Sequence, residues 1–198
     1  MRLPLVLAAT IALPMAAALA QQPQPRYLPT RDVTVTYRIT SSRPGVPETV
    51  TAHITPSGDV RIDMPDRGSV IYDMGRERAD WLLPKGGVYF EIPVGGSLAG
   101  TFLPDRGARF AEMGHAVVAG LPCTEWRVST SQGSGTACVT TDGVILRAEG
   151  GDTRGTTGTI VATNVSFGPQ PADLFVPPPG AQRLSIPTKI PGLARLPQ

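Results

Sequence analysis

From Val33 onward, apolar and polar side chains alternate with a period of two, the pattern of half-buried strands. In DVTVTYRIT, Val33, Val35, Tyr37 and Ile39 share one face and Thr34, Thr36 and Arg38 the other. The alternation recurs in TVTAHIT (Val50, Ala52, Ile54), DVRIDM (Val60, Ile62, Met64), SVIYDM (Val70, Tyr72, Met74), ADWLL (Trp81, Leu83) and VYFEI (Val88, Phe90, Ile92). Between these segments stand Pro56-Ser57-Gly58, Pro65-Asp66-Arg67-Gly68, Gly75 and Lys85-Gly86-Gly87. All are turn formers, so each strand is expected to pair with the next in an antiparallel meander. One face of such a sheet can stay solvated; the other needs a cover.

Little in the sequence offers a helix as that cover. Only SLAGTFLPDRGARFAEM, Ser97 to Met113, breaks the period, and Pro104 and Gly107 limit a helix there to about two turns. Strand patterns resume in HAVVAG, in the cysteine-bearing stretch Gly120 to Gly150 and in GTIVATNVSF. GSG at Gly133 to Gly135 reads as a loop tip and GGDTRG at Gly150 to Gly155 as a turn. After Phe167 the pattern dissolves, and the Pro-rich stretch Ala181 to Gln198 is expected to be a disordered tail, since proline cannot donate to a ladder.

Cys123 and Cys138 are the only cysteines. Asp142-Gly143 is a strong two-residue type I′ turn signal, which sets Thr141 opposite Val144, Val139 opposite Leu146, Ala137 opposite Ala148 and Cys138 opposite Arg147. Trp126 and Val128 mark the core side of the preceding strand, and Cys123 then shares parity with Glu125 and Arg127. Both thiols are thus expected on one polar face, away from the core. A disulfide needs an asymmetric or bulged loop between the two strands and would contribute about 3 kcal/mol. The redox alternative needs a thiolate stabilised by a cation, for which only Arg127 and Arg147 are at hand.

The opening MRLPLVLAATIALPMAAALA has one Arg, an apolar run and an Ala-Leu-Ala site before Gln21, as in a secretory signal peptide over residues 1–20; the alternative is a membrane anchor. Cleavage implies a periplasmic or secreted protein in an oxidising space, with no integral membrane segment, in which a disulfide persists. A Pro-rich linker, residues 21–32, would lead into one β domain over residues 33–180. Without Arg2 the chain carries 17 basic against 16 acidic side chains. Near-neutral charge of alternating sign excludes a nucleic-acid surface.

His53 and His115, the two histidines, have no ligand-spaced neighbours and read as solvated polar residues, so no metal or cofactor is expected. Nucleophile-elbow, Walker and dinucleotide-binding motifs are missing from the chain. Asp59, Asp63, Asp66, Asp73 and Asp80 fall at turn flanks and on polar strand faces as solubilising charges. No catalytic set emerges, and the chain is not expected to be an enzyme. What remains is the apolar face: Tyr37, Met64, Tyr72, Met74, Trp81, Phe90 and Trp126 suit both a closed core and a greasy ligand pocket.

The segment RIDMPDRGSVIYDMGRERADWLLPKGGVYFEIP, Arg61 to Pro93, resembles the repeated hairpins of small secreted bacterial domains related to the LolA/LolB lipoprotein carriers. GHAVVAGLPCTEWRV, ACVTTDGVILRAEG and ADLFVPPPG resemble the second half and close of those domains. The resemblance implies a mainly β fold, a curved antiparallel half-barrel of about eleven strands with little helix, whose apolar face in the carriers shelters acyl chains beneath helices. The carriers' N-terminal helix has no counterpart in the Pro-rich stretch Gln21 to Asp32. The functional expectation is a non-enzymatic domain that binds or carries a lipid or lipoprotein acyl chain along those seven residues, each fully covered side chain contributing about 1.5–3 kcal/mol. The rival is a structural or protein-interaction module with a solid core, docking an envelope protein partner.

Overall fold

The computed structural model describes residues 24–76, 78–85, 87–93 and 107–184. The expected signal peptide and most of the Pro-rich tail lie outside the described residues. The strands are β1 (Val33–Ser41), β2 (Thr49–Ile54), β3 (Asp59–Met64), β4 (Gly68–Asp73), β5 (Arg78–Leu82), β6 (Val88–Pro93), β7 (Arg109–Val118), β8 (Leu121–Ser129), β9 (Gly133–Val139), β10 (Ile145–Asp152), β11 (Thr157–Phe167) and β12 (Gln182–Leu184). They form one open, curved sheet in the order β12-β6-β5-β4-β3-β2-β1-β11-β10-β9-β8-β7. Described helix is confined to a 3-10 turn, Ala172–Phe175.

Two runs of sequential hairpins, β1 to β6 and β7 to β11, meet where β1 pairs with β11, from Val33 opposite Phe167 to Ser41 opposite Gly158. A bulge at Thr163 on β11, facing the Thr36–Tyr37 step, bends this seam. The core gathers around it: Val33, Val35, Tyr37, Val50, Ala52, Leu146 and Ala162 are buried in one cluster.

Several sequence expectations are corrected. Arg109–Met113, expected to close a short helix, belong to β7 and pair with β8; Ser97 to Asp105 lie outside the described residues. Gly133–Gly135 are strand rather than loop tip, because glycines on β9 and β10 let the two backbones approach: a Cβ on Gly135 would lie 2.1 Å from the Glu149 carbonyl oxygen. Gln182–Leu184, expected in the disordered tail, add to β6 as a parallel strand. In the expected linker, the Thr30 N–H donates to the Asp142 carbonyl and the Arg31 guanidinium pairs with the Asp142 carboxylate at 3.0 Å while lying over the Phe167 ring.

Asp142-Gly143 does not form a two-residue turn. Gly143 alone has positive φ, its N–H donates to the Thr140 carbonyl, and Thr140 N–H donates to Val144. This is a three-residue loop with a left-handed glycine at its end. The same pattern recurs at Thr55 to Asp59 and Asp152 to Thr156, with Gly58 and Gly155 in that role. The longer loop leaves Ala137 opposite Ala148 and Cys138 opposite Arg147, as expected, but sets Val139 against Ile145 and makes Leu146 a bulge.

Cys123 and Cys138 form a disulfide, Cα atoms 5.4 Å apart, between β8 and β9. Glu125, not Cys123, stands directly opposite Cys138, so the bridge is diagonal. The cysteines do not face solvent: they are 5% and 1% exposed, within the core cluster. Glu125 and Arg127 make their face polar at one end of β8. At the other end Ala116 stands opposite Cys123 and Val118 opposite Leu121, and Ala116, Val118 and Leu121 pack against the cluster that holds Cys123. An ion pair between Arg147 and Glu125 lies beside Cys138 in the same cross-strand row.

Replacing both cysteines by alanine is expected to lower stability by about 3 kcal/mol in urea unfolding. An unchanged midpoint would contradict a bridge that restrains the unfolded chain.

Candidate functional site

Six neighbouring strands place apolar residues in a single row: Val35, Ala52, Ile62, Val70, Trp81 and Phe90. Directly opposed residues share a face, so the row crosses the sheet on one side. Leu184 on β12 extends it beyond Phe90. Burial falls along the row. Val35 and Ala52 are enclosed, Ile62, Val70 and Phe90 are half-buried, Trp81 is 37% exposed and Leu184 41% exposed. The Trp81 indole N–H donates to the Arg67 carbonyl at 3.0 Å, which anchors the ring over the β3–β4 turn.

On the opposite face of these strands runs a second row: Thr34, His53, Arg61, Ile71, Asp80 and Glu91. This polar face is the covered one. The 3-10 turn packs against β3 and β4, and Ser69, Ile71, Asp80 and Leu82 are buried. The covering segment is held by polar contacts. Arg61 donates to the Leu174 carbonyl, Gln170 N–H to the Asp32 carboxylate at 2.7 Å and Gln170 Nε2 to the Thr34 hydroxyl, and the His53 ring lies 3.0 Å from Gln170 Oε1.

Beneath it, Asp63 accepts from Arg61 Nε at 2.8 Å and from the Ser69 hydroxyl, with His53 Nε2 at 3.3 Å. His53 is therefore part of a network, whereas His115 is solvated as expected. Desolvation pushes the Asp63 carboxyl up, but hydrogen bonds from Ser69 and Arg61 and the charges of Arg61 and His53 outweigh it and hold its pKa below the ordinary value. Asp80 shows the opposite balance. It is 3% exposed, its Oδ1 has no partner among the described residues, and burial raises its pKa despite Arg78 at 3.3 Å. It is not a solubilising surface charge.

The seven residues singled out in the sequence divide between two environments. Met64, Tyr72, Trp81 and Phe90 lie on the half-open part of the apolar face, from β3 to β6. Met74, just past β4, packs over Gly58. Tyr37 and Trp126 are buried; the Tyr37 hydroxyl donates to the Ile145 carbonyl at 2.8 Å, and desolvation raises its pKa. Ile62 and Val70, not singled out before, complete the row; only cross-strand register identifies them, since alternation gives parity but not alignment.

Two open depressions are present among the described residues. One, about 380 Å3, lies along Ser41, Gly135, Gly150 and Gly158; the other, about 390 Å3, reaches Met64 from the ends of β2 to β4. Neither includes Val70, Trp81 or Phe90, and at the outer end of the apolar row Trp81 and Leu184 are exposed. Among the described residues no group of three or more His, Cys, Asp or Glu side chains could hold a metal ion, and no helix is long and apolar enough to cross a membrane.

Several solved structures resemble parts of the chain. A LolA superfamily protein from Nitrosomonas europaea is 6% identical, TM-score 0.40, with 75% of this chain and 91% of that one covered. The Mycobacterium tuberculosis lipoprotein LppX is 12% identical, TM-score 0.40, covering 66% and 84%. MucB in the Pseudomonas aeruginosa MucA/MucB complex is 15% identical, TM-score 0.47, covering 78% and 58%. The chain thus spans less than two thirds of the length of the MucB structures it matches. No family model and no curated protein matches the chain.

The two aspartates have opposite linkage signs. The raised pKa of Asp80 means that its carboxylate costs stability above the ordinary carboxylate range, a cost that disappears as pH falls below it. Asp80→Asn is therefore expected to be at least as stable as the parent at pH 7, with the difference vanishing toward pH 3. The lowered pKa of Asp63 contributes stability at pH 7 that is lost on acidification, so Asp63→Asn is expected to be less stable at pH 7 and equal to the parent in acid. Thermal unfolding across pH checks both; a loss on Asp80→Asn at pH 7 would contradict the assignment.

Proposed function

We propose that this chain is a non-enzymatic binding protein of the cell envelope or extracellular space that takes up an extended apolar ligand of the acyl-chain class. The ligand lies along the open part of the apolar face, over Ile62, Met64, Val70, Tyr72, Trp81 and Phe90. One observation carries this reading: over β3 and β4 the polar face is capped by the 168–175 segment, while the apolar row from Ile62 on β3 to Phe90 on β6 is left half-buried or exposed. A sheet stabilised only as a structural module gains most by covering its apolar face. The disulfide accords with an oxidising compartment, and the sequence resemblance to lipoprotein carriers points the same way.

The rival, a protein-interaction module with a solid core, draws support from Tyr37 and Trp126, which are enclosed among their neighbours. The two readings apply to different parts of one face. The seam around β1 is solid, and ligand contact is confined to the β3–β6 end.

The two tryptophans separate them. Trp126 is buried and Trp81 partly exposed. Titration with a long-chain fatty acid is expected to blue-shift the emission of the parent protein and not that of Trp81→Phe. Trp81→Ala and Phe90→Ala should each weaken binding about tenfold, the loss of roughly 1.4 kcal/mol of covered apolar area. No saturable shift, and no co-purified lipid in native mass spectrometry, would sink the proposal.

A further inference from the structure

The two edges of the sheet are unlike. One ends in β12, three residues long, with Arg183 paired to Glu91 at 3.0 Å. The other is β7, ten residues, whose only strand partner among the described residues is β8. Its extended length is about 34 Å. Among the described residues no backbone hydrogen bond other than those to β8 involves Arg109–Val118. β7 contains neither proline nor lysine, two of the guards of a free edge, and Val117 is 71% and Met113 45% exposed.

We infer that β7 pairs antiparallel with β7 of a second copy across a twofold axis, joining two sheets edge to edge. The bulge between Glu112 and Gly114 makes the strand complementary to itself. On regular strands, residues an odd number apart lie on opposite faces. Here Phe110 stands opposite Val128, Glu112 opposite Trp126, His115 opposite Thr124 and Val117 opposite Pro122, all of one parity on β8. The bulge has therefore brought Phe110, Glu112, His115 and Val117 to one face. Ala111 and Ala116, opposite Arg127 and Cys123, share the other.

A twofold axis between Met113 and Gly114 then sets Glu112 opposite His115 of the second copy, Phe110 opposite its Val117 and Ala111 opposite its Ala116. Carboxylate meets imidazole, apolar meets apolar, and no like charges are opposed. Each pair occurs twice in the dimer. A single added strand pair buries less than a standard stable interface, so the dimer is weak and concentration-dependent.

Sedimentation of the purified chain tests this. The expected result is monomer at about 5 µM and dimer at about 500 µM. Val117→Lys, an exposed position, is expected to keep the far-UV spectrum and weaken dimerisation at least about tenfold. Glu112→Arg should weaken it about tenfold, and the swap Glu112→Arg with His115→Glu should restore it. A monomer at every concentration, a dimer indifferent to Val117→Lys, or open-ended assembly beyond the dimer would each overturn the proposal.

Discussion

The fold depends on one long-range pairing, β1 with β11. Every other antiparallel contact joins strands adjacent in sequence and could form within a local hairpin. The seam brings Val33 opposite Phe167 and Ile39 opposite Ile160, more than a hundred residues apart, and the most deeply buried side chains lie along or beside it. Closing so long a loop is entropically expensive, and burial at the seam offsets it. From there outward, burial thins along the Val35–Ala52–Ile62–Val70–Trp81 row toward β6 and from β8 toward β7, whereas the opposite face of β4 and β5 keeps Ile71, Asp80 and Leu82 buried.

The seam also sets where cover is needed. The chain leaves β11 at Phe167 beside Asp32, to which Gln170 is tied, and then crosses the Thr34–His53–Arg61 face. Its path caps the polar side with a 3-10 turn and ends as β12 on the far edge. Arg61, Asp63, Ser69 and His53 satisfy one another beneath that cap, as a covered polar face requires. The opposite face of the same strands receives no such segment from the described residues. The partial exposure of Trp81 is thus the counterpart of the cap.

Much of this was legible in the alternation of residues. Strands β1 to β6 and their hairpin order follow from period-two patterning and turn residues; Cys138 opposes Arg147 as expected because the Leu146 bulge offsets the longer loop, and the two cysteines form the expected disulfide. Three things do not. Bulges at Thr163, Leu146 and Met113 change parity without a composition signal, and the loop at Asp142-Gly143 is one residue longer than a two-residue turn, with Gly143 alone at positive φ. The polarity of Glu125 and Arg127 does not extend to Cys123, because Ala116, Val118 and Leu121 make the other end of that hairpin apolar. The capped face was misassigned as solvated because the cap comes from Gln170 and Leu174, which are more than a hundred residues from Asp32 and Arg61. Asp80 and His53 look like surface charges for the same reason.

The central claim is that one end of the apolar face is open while its centre is closed. Methyl-resolved NMR with a fatty acid titrated to saturation reads this residue by residue. Saturable shifts are expected at Ile62, Met64 and Val70, with Val33, Val35 and Leu146 unmoved. Saturable binding that moved the seam residues and left Ile62, Met64 and Val70 in place would contradict it, as would a titration that moved none of them.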